Sequence, residues 1–465
     1  MRKTLVVAVV AAAAFSAVAR GGAQAPAAGQ PPQQVLPPEA RYWMGATTGG
    51  GLLAMSGFVA GGRPSMAAMM KMAAGGVPTE GHLVSLKLGS TLAPQGDPEA
   101  FHTMPPGAQV NKPIYLETPE PGKSQPGAPT GYQTPKGQIS FYWGCGEKAG
   151  PGQPVVLTFD KLMRGENDPE LQALEGAVSA RGVRTPSPGN SKTYGDWPHP
   201  DRKGKNRDLE ALFRSPATLA GLHVVEGTYT PKIEFTLPAD KTFMEPVRYT
   251  STAVQASGAI ALSWGATARA TGYSIGVMAP EKVGDDSANI VMWSSADRPA
   301  TFVVMQDLTP AEVNRLIGLK AVLPPSTTDC AVPAEVVKAT RDGSMLMFTA
   351  FGDEATFIHP PRPADPKIAW DQEWFSRVNF KSVRMDMVSP QGVTDMSAMM
   401  SGGTGGGDAP GALSDEEYCR QIDAQAAAKP SVADAIPGGR LLGRLRKKPE
   451  PPSASDPRCA NLKKK

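Results

Sequence analysis

Ile260-Ala-Leu-Ser-Trp264, a short Gly265-Ala-Thr-Ala-Arg-Ala270 connection and Tyr273-Ser-Ile-Gly-Val277 form the stretch on which the fold turns. Ile260, Leu262 and Trp264 fall at every second position, and Tyr273, Ile275 and Val277 repeat the pattern. A period of two places one set of side chains on one face of an extended chain, the mark of a strand. Working outward, the same alternation recurs at Ile139, Phe141 and Trp143, at Val155, Leu157 and Phe159, and at Ile233, Phe235 and Leu237 against Lys232, Glu234 and Thr236. Further strands are expected at 290–293, 301–305, 334–337, 345–350 and 355–358. Strands that bury one face and wet the other belong to antiparallel sheets, and the Gly/Pro clusters between them supply turns.

The expected fold class is therefore all-β: two immunoglobulin-like β-sandwich domains, residues 80–247 and 248–390, with short helices in connections and disordered termini. Asp168-Pro169-Glu170 and Thr309-Pro310-Ala311-Glu312 start two such helices, the second ending near Ile317. Ser187 to Arg207 is polar and reads as an exposed loop. Residues 20–79 read as a Pro/Gly/Met-rich linker in which Gly45 to Gly76 is a loop, too glycine-rich for a helix. Gly57 and Gly61 make a GxxxG without the apolar 20-mer that would give it meaning. Residues 391–465 hold a Met/Gly stretch, a capping box at Ser414-Asp-Glu-Glu417, a short helix to about Ala428 and a basic tail.

The Leu262-Ser263-Trp264 and Ala270-Thr271-Gly272-Tyr273-Ser274-Ile275 pattern resembles the second and third strands of a fibronectin type III domain, where Trp and Tyr pack between two sheets. It covers roughly 25 residues within 250–365. The helix after Thr309 departs from a plain module of that kind. Tyr142-Trp143-Gly144-Cys145-Gly146, followed by Gly152-Gln153-Pro154, is similar to a group of secreted proteobacterial proteins with no assigned activity. That likeness transfers no functional residues.

The N-terminus carries Arg2 and Lys3 ahead of an uncharged Thr4 to Ala19 run closing on Ala17-Val18-Ala19. This is the pattern of a secretory signal peptide over 1–19, cleaved after Ala19, with Ala25 a second site and a retained anchor the competing reading. A periplasmic or secreted location follows, with no transmembrane span after signal removal. Cys145, Cys330, Cys419 and Cys459 would then meet an oxidising compartment, and four cysteines allow three connectivities. Cys419 with Cys459 and Cys145 with Cys330 is the expected set. The net charge of +3 conceals a tail, 440–465, of nine Lys or Arg against Glu450 and Asp456, leaving the rest at −4. Such a tail suits an anionic envelope component or simple solvation, and nucleic acid is not an expected partner. Gly 50 and Pro 46 make about 21% of the chain, below the level of wholesale disorder, and 41% apolar residues suffice for a core.

Metal and redox motifs are missing. There is no HExxH or CxxC, and the glycines of Gly144 to Gly150 lack phosphate-cradle spacing. His82, His102, His199, His223 and His359 stand singly. No catalytic or cofactor-binding residue is assigned, and the chain leans toward a non-enzymatic envelope protein with a binding or scaffolding role, presenting aromatics such as Trp197 or Trp370. Two alternatives stay open. A polysaccharide hydrolase would use paired carboxylates, for which Asp285-Asp286, Asp371 with Glu373 and the Trp370 to Phe380 stretch are the places to look. A Cu(I)-binding protein would use thioethers from Met66, Met69, Met70 and Met72 and from Met396, Met399 and Met400, with Met385 and Met387 just upstream. Methionine equally fills gaps and makes adaptable surfaces.

Overall fold

The structure, a computed structural model, describes residues 33–55, 80–119, 136–159, 161, 182–198, 212–213, 217–283, 287–300, 303–340 and 344–394. Among them an 11-stranded sheet runs in the order β6 (Val155–Thr158), β5 (Lys136–Trp143), β14 (Ser287–Ser294), β13 (Gly272–Val283), β16 (Met345–His359), β17 (Trp374–Ser389), β1 (Ala40–Gly51), β2 (Glu80–Ser90) and β7 (Thr193–Trp197). β18 (Gly392–Thr394) adds to β17 and β8 (Leu212–Phe213) to β2. Two smaller sheets accompany it. One orders β10 (Thr230–Leu237), β9 (Gly221–Gly227), β3 (Ala100–Thr103) and β4 (Ile114–Tyr115); the other β11 (Tyr249–Val254), β12 (Ile260–Trp264) and β15 (Asp329–Val332). The all-β class read from the alternation holds.

The core lies between one face of the large sheet and the two small ones. Phe235 of β10 stacks on Phe357 of β16 at 4.9 Å, and Trp264 of β12 meets Phe348 of β16 edge-on at 4.8 Å. Tyr273 packs T-shaped on Trp264 from the facing sheet at 5.8 Å. Aromatic pairs in these geometries add about 0.5–1.5 kcal/mol each beyond the area they bury. The other face carries helix α1 (Pro310–Gly318), whose Val313 and Leu316 pack on Phe351. Its N-cap is the expected one: Thr309 Oγ1 accepts from the Glu312 N–H at 3.1 Å.

Several expectations change. Ala40–Gly51, read as linker and loop, is a central strand held in parallel by β17 and antiparallel by β2. Its small residues are a consequence of crowding: a Cβ on Gly45 would stand 2.6 Å from Ser85 Oγ, and one on Gly51, at φ +60°, 2.2 Å from the Met385 carbonyl. The 11-stranded sheet draws strands from both sides of residue 247, with β5 pairing in parallel with β14 and β1 with β17, while the four-stranded sheet lies before that residue and the three-stranded one after it. The loop expected over 187–207 contains β7, with Thr193, Tyr194 and Trp197 buried. Residues 334–337 form helix α2 (Ala334–Ala339) instead of a strand. Pro333 stands at its N-cap, and the adjacent Val336 and Val337 are both buried while Glu335 and Lys338 are exposed, a helical spacing. Val303–Met305 is a 3-10 turn within the stretch expected as a strand. The two strands expected at 345–350 and 355–358 are one, β16, with a bulge between Phe351 and Glu354.

The signal peptide, the Asp168 helix, the termini and the tail with Cys419 and Cys459 lie outside the described residues. Among the described residues no helix is long and apolar enough to cross a membrane.

Candidate functional site

The loop after β5, Gly144 to Gly150, is tied down by backbone and side-chain hydrogen bonds and by a disulfide. Gly144 N–H donates to Ser294 O at 3.0 Å, Trp293 Nε1–H donates to Gly144 O at 3.0 Å, and Gly146 N–H donates to Ala331 O at 3.1 Å. Cys145 is disulfide-bonded to Cys330 of β15, with Cα atoms 4.9 Å apart, so the expected pair forms and staples the three-stranded sheet to the large one. Ala334 N–H then donates to Glu147 O at 3.0 Å, which brings the start of α2 against the same loop.

Between this loop, α2 and the Ser257-Gly258 turn lies a groove of about 490 Å³. Lys148 and Lys338 line it together with the apolar Ala334, Val337 and Pro390. Its carboxylate, Glu335, is already engaged, accepting from the Ala149 N–H at 2.9 Å. The groove is therefore an open, disulfide-clamped depression with two exposed ammonium groups at its rim.

A connected polar constellation lies elsewhere, in the core. Tyr42 of β1 bonds His102 Nδ1 at 2.6 Å, His102 Nε2 meets His223 Nδ1 at 3.0 Å, and His223 Nε2 meets Leu219 O at 2.7 Å. The carbonyl of Leu219 can only accept, so His223 carries its proton on Nε2 and accepts at Nδ1. His102 then donates from Nε2 and accepts the Tyr42 O–H at Nδ1. Both rings are neutral in this pattern. Burial holds His223 down at about 4; burial, then the neighbouring His223, holds His102 well below the usual imidazole range. Burial also lifts the Tyr42 phenol well above its usual value, keeping it a donor. His223 stacks on Phe235 at 4.9 Å with nearly parallel planes. All three side chains are sealed from solvent, so the chain of bonds joins the large sheet to the four-stranded one and offers no surface to a substrate.

The residues singled out in sequence scatter. Asp371 and Glu373 are exposed ahead of β17, with Glu373 3.8 Å from His359. Trp370 is half-buried, donates from Nε1 to Pro360 O at 2.9 Å and carries Arg362 over its ring. Trp197, expected as a presented aromatic, is buried against Phe213 because β7 pairs with β2. Asp285, Asp286, His199 and the Met66–Met72 and Met396–Met400 clusters lie outside the described residues. Among the described residues no three of His, Cys, Asp and Glu gather as metal ligands. The His102–His223 pair escaped the sequence reading because the two are 121 positions apart. Its one trace is local: His223 shares the inward phase of Val225 in Leu222-His223-Val224-Val225.

Compared with protein-family models, curated proteins and solved structures, the chain matches none of them.

Proposed function

We propose that the chain is a non-enzymatic secreted or periplasmic cell-envelope protein with a binding or scaffolding role. The observation that carries this reading is the groove beside the Cys145–Cys330 bridge: open, rimmed by Lys148 and Lys338, and with its one carboxylate committed to a backbone N–H. Such a surface favours an anionic polymer or protein lying across it over a small molecule enclosed for reaction, since ligand pockets for small molecules bury most of their guest. The disulfide suits an oxidising compartment. The basic 440–465 tail adds a second cationic element toward the same class of partner.

The test is retention of solubilised envelope components by residues 20–465, by a version ending at Gly439 and by Lys148→Glu/Lys338→Glu. A partner lost in the double variant supports the groove, and one lost only on truncation moves the contact to the tail. Full retention by both versions, or hydrolysis of envelope glycans by the intact chain, overturns the reading.

A further inference from the structure

Met345 stands at the centre of a methionine patch that the strand register assembles from four separate segments. Met345 of β16 lies directly opposite Met387 of β17 on one side and Met278 of β13 on the other. Met278 lies opposite Met292 of β14, so one row of methionines crosses four neighbouring strands. Met347, two residues along β16 and hence on the same face, lies opposite Met385. Directly paired side chains have Cβ atoms about 4.5–5.5 Å apart, within reach of an unbranched side chain with three rotatable bonds.

Two features separate this patch from ordinary core packing. Met292 joins the small Ile139–Phe141–Leu157 cluster, but Met345, Met347, Met385 and Met387 are half-buried and Met278 is 36% exposed. Half-wet sheet positions ordinarily take β-branched or aromatic residues, and methionine is not among the residues enriched there. On the flank, Val304 stands 3.2 Å from the Cβ position of Gly276, the residue opposite Met347, so one side of the patch is walled by hydrocarbon. An open cluster of neutral thioethers beside an apolar wall is a soft-ligand set.

We propose that Met345, with Met278 and Met387 across its neighbouring strands and Met347 beside it, binds one Cu(I) ion through thioether sulfurs. The ion enters already reduced and no electron is transferred. The ligands carry no titratable proton, so affinity is insensitive to pH, unlike a His, Cys or carboxylate site, whose ligands must be deprotonated. The inference goes beyond the proposed envelope role and does not depend on it.

The test uses the full mature chain with the seven methionines of 66–72 and 396–400 changed to Leu, which removes the clusters outside the described residues. Cu(I) is titrated anaerobically against a chromophoric Cu(I) chelator, and Ag(I) is followed by methyl resonances of labelled methionine. Expected are one equivalent of Cu(I), shifts confined to the patch methyls, the same affinity from about pH 7.5 to 5.5, and a loss of about tenfold or more in Met345→Leu. Leu nearly conserves volume, and an unchanged melting curve confirms that the loss is one of ligation. Absence of binding in the seven-Leu background, affinity that falls with acid, or a Met345→Leu variant that binds as before overturns the site.

Discussion

At the scale of single residues, the His102–His223 pair links stability to pH. Both rings are neutral when folded, and in the unfolded chain each protonates near the usual 6.5. Unfolding therefore takes up protons below that value. The stability they contribute is complete above about pH 6.5 and is lost as pH falls toward 4, the value to which His223 is held. For His223 alone the loss is on the order of 3 kcal/mol, and His102 and His82 act in the same direction. Urea midpoints measured at pH 7.5, 6 and 5 are expected to fall steadily, and a flat series would refute the assignment. Tyr42→Phe leaves His102 Nδ1 buried without its donor and is expected to lower stability by about 1–3 kcal/mol in the same assay.

At the scale of elements, β1 shows how composition can mislead. Gly45-Ala-Thr-Thr-Gly-Gly-Gly51 has the makeup of a loop, yet it is the strand that closes β17 onto β2. Gly51 is the stringent position: left-handed backbone and a carbonyl in the place of a Cβ. Gly51→Ala is expected to cost at least about 2 kcal/mol, since the left-handed conformation alone costs 1–2 kcal/mol in a non-glycine residue. Thermal or urea denaturation measures it; a loss below about 0.5 kcal/mol, the usual surface level, would mean the backbone relaxes there. Helix α1 tests the opposite kind of signal, one written locally. Thr309→Ala removes its cap and is expected to cost about 1 kcal/mol, and Thr309→Ser to restore most of it.

At the scale of the whole molecule, the Cys145–Cys330 bridge closes 185 residues of sequence and joins two sheets. The chain-entropy account credits a loop of that length with roughly 5 kcal/mol through the unfolded state. A Cys145→Ser/Cys330→Ser variant is expected to lose a large part of that, with amide exchange accelerating first in β11, β12 and β15. Equal urea midpoints for oxidised and double-Ser chains would show that the sheets hold together without the staple.

What the sequence determined by itself is whatever its local period encodes: the all-β class, the inward faces of β10 and β12, and the Thr309 cap. These depend on neighbours two to four positions away. The Cys145–Cys330 pair was also legible, because four cysteines leave few pairings. Tertiary structure alone decided the rest. The glycine-rich β1 is a strand because partners on both sides supply its hydrogen bonds, which no local propensity records. Strands from both sides of residue 247 meet in one sheet through parallel pairings, which carry no turn signal in the chain. The polar core pair and the methionine patch arise from register between distant strands. Methionines 278, 292, 345 and 387 come from four strands that are adjacent only in the folded sheet.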